Sequence, residues 1–397
     1  MATKPIKMSE PYTARRRKAL AAAQAATKAG ALLVTRPEDV SYLSGFTGDD
    51  SFLLIGASRA RPQMRTGAGR QRRSQSPPGS SSPFSCLLTD GRYGEQAAAE
   101  CPGTEVFVRK GAMSAAMSET LGRHKVRSMA LQAEHLTIQW RDAMAKAMPK
   151  VRLAPAADIV GPLRQIKDEH EVAAIRRAVA AAQDAFKSLL AQGRKAFIGR
   201  TERQVAAELD YRMRLAGADK SSFETIVAAG AHGSLPHYRP GSTVIGKDDQ
   251  VLIDWGAFVG GYASDLTRVV FTGRIPPQLG QVYEVVLKAQ AAGIAAVRAG
   301  AALKSVDAAA RRTIAAAGYG DQFVHSLGHG VGRQIHEQPA IGAKVPGRMR
   351  SGMVVTIEPG IYLPGVGGVR IEDDVLVTSG GPEVLSSLPK DLASMTL

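Results

Sequence analysis

Apolar residues along this chain follow two rhythms. Short runs rich in Val, Ile and Leu, closed by Gly, Pro or Asp, read as strands: "FETIVAAG" (223–230), "QVLIDWG" (250–256), "ASDLTRVVF" (263–271), "GMVVTIEPG" (352–360) and "GGVRIEDDVLV" (367–377). Longer Ala-, Leu- and Val-rich stretches broken by charges predict helices from about Asp168 to Ala191, from Thr201 onward, near Pro277–Ala299 and near Leu303–Ala317. Thr201 and Gln204 have capping-box spacing at the start of the second helix. The order helix, helix, strands therefore occurs twice, which predicts a duplicated α+β domain with sheets facing one another. Up to about Leu153, strand-like and helical stretches alternate as in an α/β domain. The Pro- and Gly-bearing "APAADIVGPLRQIKDEHE" (154–171) marks a junction near residue 160, giving domains 1–160 and 161–397.

The chain has 397 residues, enough for two domains and a large core. Apolar residues make up 44% and charged residues 22%, ordinary values for a soluble globular protein. No apolar run approaches the ~18–20 residues that span a bilayer. The cluster Arg15-Arg16-Arg17-Lys18 precedes "ALAAAQAATKAGALLV", where Gln24 and Lys28 interrupt the apolar run. That stretch reads as a helix leading into a strand and not as a signal-peptide core. Cys86 and Cys101 offer neither a disulfide framework nor zinc-ligand spacing, so reduced thiols in a cytoplasmic protein are expected.

The net charge of +15 raises nucleic acid as a partner, but its location argues otherwise. Residues 1–18 carry a net +5 and residues 59–85 a net +6, leaving +4 for everything else. The excess lies in a tail and a low-complexity segment, so no dedicated nucleic-acid site is expected. The Arg/Ser/Pro-rich stretch 59–85 cannot build a core and is expected to be a disordered insertion between two paired strands, dispensable for chemistry.

"DWGAFVGGYASDLTR" (254–268) places two carboxylates on either side of a glycine pair. With Val251-Leu252-Ile253 before it and Val269-Val270-Phe271 after it, the stretch reads as a hairpin. A Val259-Gly260 loop sets Asp254 opposite Asp265; a Gly260-Gly261 loop shifts them by one diagonal on the same face. Either register brings the carboxylates within roughly 5–8 Å, which is repulsive unless a cation intervenes. The alternative is that one Asp pairs with Arg268 or sits in the turn.

The second half adds His325, His329 and His336 in "HSLGHGVGRQIHE", where glycines at 328, 330 and 332 oppose a helix and hence a zincin-like reading. Glu358 ends the apolar run "MVVTIEPG", and Glu372 is embedded in "VRIEDDVLV". An acid inside a buried Val/Ile strand is disfavoured when unpaired. Four acids sharing that oddity, with one imidazole, suit two divalent ions that would hold a nucleophilic hydroxide between them. No nucleophile elbow or Cys–His pair competes.

In order, "DWGAFVGGYASDLTR", "HSLGHGVGRQIHE", "TIEPGIY" and "VRIEDDVLV" resemble the pita-bread metallopeptidases: Xaa-Pro aminopeptidases, prolidases and methionine aminopeptidases. "DVSYLSGFTGDDSFLLI" and "LLTDGRYGEQAAAECPG" resemble the creatinase-type N-terminal domain, which methionine aminopeptidases lack. The resemblance implies an α/β creatinase-like N-terminal domain followed by a duplicated α+β pita-bread catalytic domain. It implies two divalent metal ions, Mn²⁺ first and Co²⁺, Zn²⁺ or Fe²⁺ as alternatives. Asp254, Asp265, His329, Glu358 and Glu372 would bind them, with Asp265 and Glu372 bridging. Glu358 would also exchange protons with the hydroxide and the leaving nitrogen. His237 in "GSLPHYRP" would contact substrate near the scissile bond, and His336 would bond the scissile-region carbonyl. Arg370 would line the proline side, with Tyr362 a weaker candidate. Proline-containing peptides or dipeptides are the implied partners, with a homodimer and no membrane. Arg333 replaces a residue more often apolar in the family and is expected to alter the substrate pocket. Two rivals on this fold are a metal-free peptide-binding module and a creatinase-like amidinohydrolase; the intact carboxylate set disfavours both.

Overall fold

The computed structural model describes residues 10–58 and 82–397. The chain divides into two compact units, Met1–Leu163 and Arg164–Leu397, so the division falls inside a one-turn helix three residues beyond the expected junction.

In the first unit, the strands are β1 (Ala31–Val34), β2 (Phe52–Ser58), β3 (Ser82–Asp90), β4 (Glu105–Arg109), β5 (Ser128–Gln132) and β6 (Arg152–Ala156). They form one mixed sheet in the order β4-β3-β2-β1-β5-β6, with β1, β2 and β3 antiparallel and the outer pairings parallel. Strand alternation sorts its side chains into two apolar layers. Leu32, Val34, Leu53 and Ile55 pack on one face with Ala19 and Ala23 of α1 (Glu10–Thr27) and Val40 and Leu43 of α2 (Pro37–Ser44). Leu33, Leu54, Leu88 and Leu131 pack on the other face with Met117 and Leu121 of Met113–Arg123 and Met144 of Ile138–Ala147. Both cysteines are free and buried; burial, then Glu105, pushes the Cys86 thiol up to about 12, which fits a packing residue.

The expected insertion does sit between paired strands, since Ser58 is the partner of Ser82 across β2 and β3. Residues 82–85, however, belong to β3 and not to a disordered segment; the remainder, 59–81, lies outside the described residues. The basic cluster at 15–18 is likewise not a free tail: it lies in α1, where Arg16 is buried and donates to the Leu43 carbonyl and the Thr104 hydroxyl.

The second unit carries the repeated order. Helices Glu169–Leu190 and Glu202–Leu215 come first, the former capped by Asp168 and Glu171 and the latter by Thr201 and Gln204. The strands that follow are β7 (Lys220–Ser221), β8 (Ile226–Ala229), β9 (Gln250–Trp255), β10 (Ala257–Val259), β11 (Tyr262–Ala263) and β12 (Leu266–Phe271). Helices Pro277–Ala296 and Leu303–Ala316 open the second half. It continues with β13 (Gly328–Gly330), β14 (Glu337–Ile341), β15 (Val354–Ile357), β16 (Gly360–Leu363), β17 (Gly367–Arg370), β18 (Asp373–Thr378) and β19 (Gly381–Val384). One sheet runs β12-β9-β8 and another β14-β13-β15-β18-β19. A bridge between Thr267 and Glu372 ties the first to the second. A single core spans both halves, from Phe186 stacked on Trp255 to Val375 and Val377.

The hairpin register follows from its turn. Val259 pairs with Tyr262, so the loop is Gly260-Gly261, with φ of 57° and 85°. Two successive left-handed residues make a type I′ turn that matches strand twist. Asp254 is consequently opposite Thr267, and Asp265 lies two residues before it on the same face. This is the diagonal register of the two considered. Among the described residues, no helix is long and apolar enough to cross a membrane.

Candidate functional site

One cleft of about 620 Å³ in the second unit gathers the side chains singled out in the sequence. Asp254 comes from β9, Asp265 from the entry to β12, His329 from β13, Glu358 from the exit of β15 and Glu372 from the break between β17 and β18. His237 reaches it from the loop after β8, His336 from the residue before β14 and Arg370 from the end of β17.

Backbone pairing explains the convergence. The Thr267–Glu372 bridge brings Glu372 beside the hairpin, where the Thr267 hydroxyl donates to Glu372 Oε2 at 2.6 Å. Across the second sheet, β13 packs so closely on β15 that a Cβ at Gly328 would lie 2.0 Å from the Thr356 carbonyl oxygen. Glycine there is a steric requirement, and it sets His329 over the carboxylates. Asp265, His329 and Glu372 each present a ligand atom within 4.8 Å of the others. His329 Nδ1 lies 3.1 Å from the Gly330 carbonyl, so it carries the ring proton there and leaves Nε2 facing the acids. That Nε2 is 3.5 Å from Asp265 Oδ2 and 3.3 Å from Glu358 Oε1. Arg370 donates to Asp254 Oδ2 at 2.5 Å.

The charges are strained by their surroundings. Burial, then Glu372, Asp254 and Glu358, pushes the Asp265 carboxyl well above its ordinary range. Glu372 is raised in the same way by burial, Glu358 and Asp254. Burial alone would raise Glu358 too, but the His329 hydrogen bond and charge, with His325 and Arg370, outweigh it and hold Glu358 low. Burial raises Asp374, whose Oδ2 accepts the Asp265 backbone N–H at 3.0 Å, to about 7. Among the described residues, Asp254 Oδ1, Glu372 Oε1 and Asp374 Oδ1 are buried without a hydrogen-bond partner. Orphaned carboxylate oxygens beside an imidazole whose Nε2 can give up its proton to a metal are a donor set that a divalent cation satisfies.

A pH signature follows for the metal-stripped protein. The native state holds the Asp374 proton to about 7, whereas an unfolded aspartate releases it near 3.8. Stability from this group is complete below that lower value and lost as pH rises to the upper one. Urea midpoints of the stripped parent should therefore fall more steeply between pH 4 and 7 than those of stripped Asp374→Asn. Parallel curves for the two forms would refute the assignment.

Residues 173–379 match the model of metallopeptidase family M24, and residues 16–166 match the Creatinase/Prolidase N-terminal domain. The chain belongs to metallopeptidase family M24. An uncharacterized peptidase of Bacillus subtilis is 36% identical over 361 residues, 91% of this chain and 94% of that protein. A Xaa-Pro dipeptidase of Pyrococcus furiosus is 42% identical over 235 residues, 59% of this chain and 67% of that one. Among solved structures, a Xaa-Pro dipeptidase from Bacillus anthracis superposes with a TM-score of 0.87 at 32% identity, covering 97% of this chain and all of that one. An X-Pro aminopeptidase from Thermotoga maritima gives 0.81 at 32% identity, covering 93% and 98%. This M24 protein is thus a peptidase of a family that uses divalent metal, with a creatinase-like N-terminal domain before a pita-bread catalytic domain.

One expectation for the M24 cleft needs revision, and the partners of Arg268 and Tyr362 are now defined. Arg333 is not among the described residues lining it; its guanidinium lies 5.0 Å from the centre of the Tyr262 ring, beside the Gly260-Gly261 turn. Arg268 pairs with neither hairpin aspartate but with Asp373, at 2.8 Å. Tyr362 is more than packing, since its hydroxyl accepts from Arg370 at 2.9 Å and donates to His325 Nε2 at 2.8 Å. Sequence reasoning overlooked Thr267, Thr356 and Asp374, whose polar atoms hold the candidate ligands. The only sequence signal was the second acid after Glu372 in "IEDD".

Proposed function

We propose that this M24 peptidase hydrolyses Xaa-Pro bonds, using two divalent ions held by Asp254, Asp265, His329, Glu358 and Glu372, with Mn²⁺ the first candidate. The observation that carries the reading is one cleft combining those five ligands with His237, His336 and Arg370. Ions bound there would supply Lewis acidity and a water acidic enough to act as nucleophile near neutral pH. Asp265 and Glu372, each pressed on by other acids, would bring the most crowded negative charge to such ions.

Glu358, held as a carboxylate by His329, would take a proton from water and return it to the leaving nitrogen. His336 lies edge-on to His329, ring centres 4.4 Å apart. Burial, then His329, lowers its pKa, so a neutral ring offers an N–H to the substrate carbonyl. His237 meets the substrate from the opposite loop. Arg370 donates to Asp254, the Thr267 and Tyr362 hydroxyls and the Pro236 carbonyl, so it forms a fixed wall for the proline side.

Xaa-Pro dipeptides assayed beside Xaa-Pro-Yaa peptides, with Mn²⁺, Co²⁺ and Zn²⁺ added separately, test the reading and separate dipeptidase from aminopeptidase. Cleavage of neither substrate by protein carrying two ions per chain would overturn the Xaa-Pro specificity. Folded protein that binds no ion would favour the metal-free peptide-binding module or the amidinohydrolase. His336→Ala should keep its metal yet lower turnover by about 10²–10³, the loss typical of one oxyanion donor. Metal content and kcat measured on the same preparation check this, and either loss of metal or full turnover contradicts it.

A further inference from the structure

Glu202 is a buried acid outside the cleft, and the mechanism above leaves it unused. It is the first residue of helix Glu202–Leu215 and is fully buried. Four donors converge on its two oxygens. Oε1 accepts the Ala229 N–H at 2.9 Å and faces His232 Nδ1 at 2.9 Å. Oε2 accepts the Tyr238 hydroxyl at 2.7 Å and the Gly241 N–H at 3.0 Å. All four belong to one stretch of chain, from the last residue of β8 to Gly241, and His237 lies inside it. The His232 ring also stacks on Tyr238, centres 4.4 Å apart.

The carboxylate is the chemically appropriate group. An ionised carboxylate is acceptor-only and has about four lone-pair sites, whereas an amide has one oxygen and would turn an N–H₂ toward two of these donors. Its place in the first turn of a helix also favours negative charge. The His237 ring, by contrast, is exposed, and no side-chain hydrogen bond or ion pair holds it among the described residues. Its placement comes from the loop, which Glu202 closes at both ends and Arg370 holds at the Pro236 carbonyl.

We propose that Glu202 is a positioning residue that sets His237 over the scissile bond; this rests on His237 contacting substrate. The test is a cycle of E202Q, H237A and the double variant, in metal-loaded enzyme with a Xaa-Pro peptide. Metal content and amide exchange at Ala229 and Gly241 are measured alongside. E202Q should keep its metal, lose protection at those two amides and lose turnover by roughly 10–100-fold, as small misplacements do. The double variant should be no slower than H237A alone.

Losses that multiply in the double variant overturn the inference. So does an E202Q enzyme with freed amides and full turnover beside an impaired H237A. An H237A enzyme with full turnover instead overturns the substrate reading of His237, and the positioning role with it. Should E202Q not fold, His232→Phe preserves ring stacking on Tyr238 while deleting one bond to Glu202, and the same criterion against H237A applies.

Discussion

Asp265→Asn should give a folded protein that retains little divalent metal and turns over Xaa-Pro peptides near background. The amide removes the charge that Asp265 would share between two ions, in a cluster where Glu372 and His329 lie within ligand distance. Loss of a partner one step removed from a metal costs roughly 10–100-fold in affinity or activity, and loss of a shared ligand should exceed that. The same change should stabilise the metal-free fold at neutral pH. In the parent, burial and four neighbouring acids raise the Asp265 pKa, so its ionisation there costs folding energy that a neutral amide does not. Elemental analysis after reconstitution and urea midpoints of the stripped proteins at pH 7 test both halves. A fully loaded, active Asn variant would remove Asp265 from the ligand set.

Arg268→Met should be the most damaging single change to stability away from the ligands. The guanidinium is fully buried. It donates to the Thr267 and Glu372 carbonyls at 2.9 and 2.6 Å and to the Pro389 and Leu388 carbonyls at 3.1 and 3.3 Å. It also pairs with Asp373 at 2.8 Å. Asp373 would keep Lys390 at 2.5 Å and Gln290 at 2.8 Å, but four carbonyls would lose a donor. Breaking such a buried pair costs about 3–5 kcal/mol. Because one of those carbonyls belongs to Glu372, metal affinity should fall with stability. Arg268→Met combined with Asp373→Asn should recover little of the loss, since Lys390 still pairs with Asp373 in the single variant and would lose that partner in the double one. A destabilisation below about 1 kcal/mol would show that the network is replaceable.

The candidate ligand set was legible because its acids break a local rule: Asp254 and Glu372 sit among β-branched residues that would otherwise exclude them. The histidine strand was legible from its glycines, which forbid a helix around His329 and permit close packing on β15. The hairpin register stayed open because Val259-Gly260 and Gly260-Gly261 are both acceptable turns in isolation; pairing of Val259 with Tyr262 chooses between them. Glu202, Asp374 and the Arg268–Asp373 pair were not legible. Their meaning depends on partners up to about a hundred residues away, such as Thr267 facing Glu372, and no local pattern encodes that. Residues 82–85 misled for the opposite reason: their composition is that of a loop, and they are strand only because β2 pairs with them.

The Thr267–Glu372 bridge has a consequence for biosynthesis. Two of the five proposed ligands precede residue 266 and three follow residue 328, on opposite halves of the repeat. A chain emerging from the ribosome offers only two hairpin aspartates until the second half is made, too few for tight capture of an ion. Uptake at the proposed site would thereby await synthesis of the second half. An ion bound there would act as a reversible cross-link between early and late segments, stabilising the finished fold by RT ln(1 + [metal]/Kd).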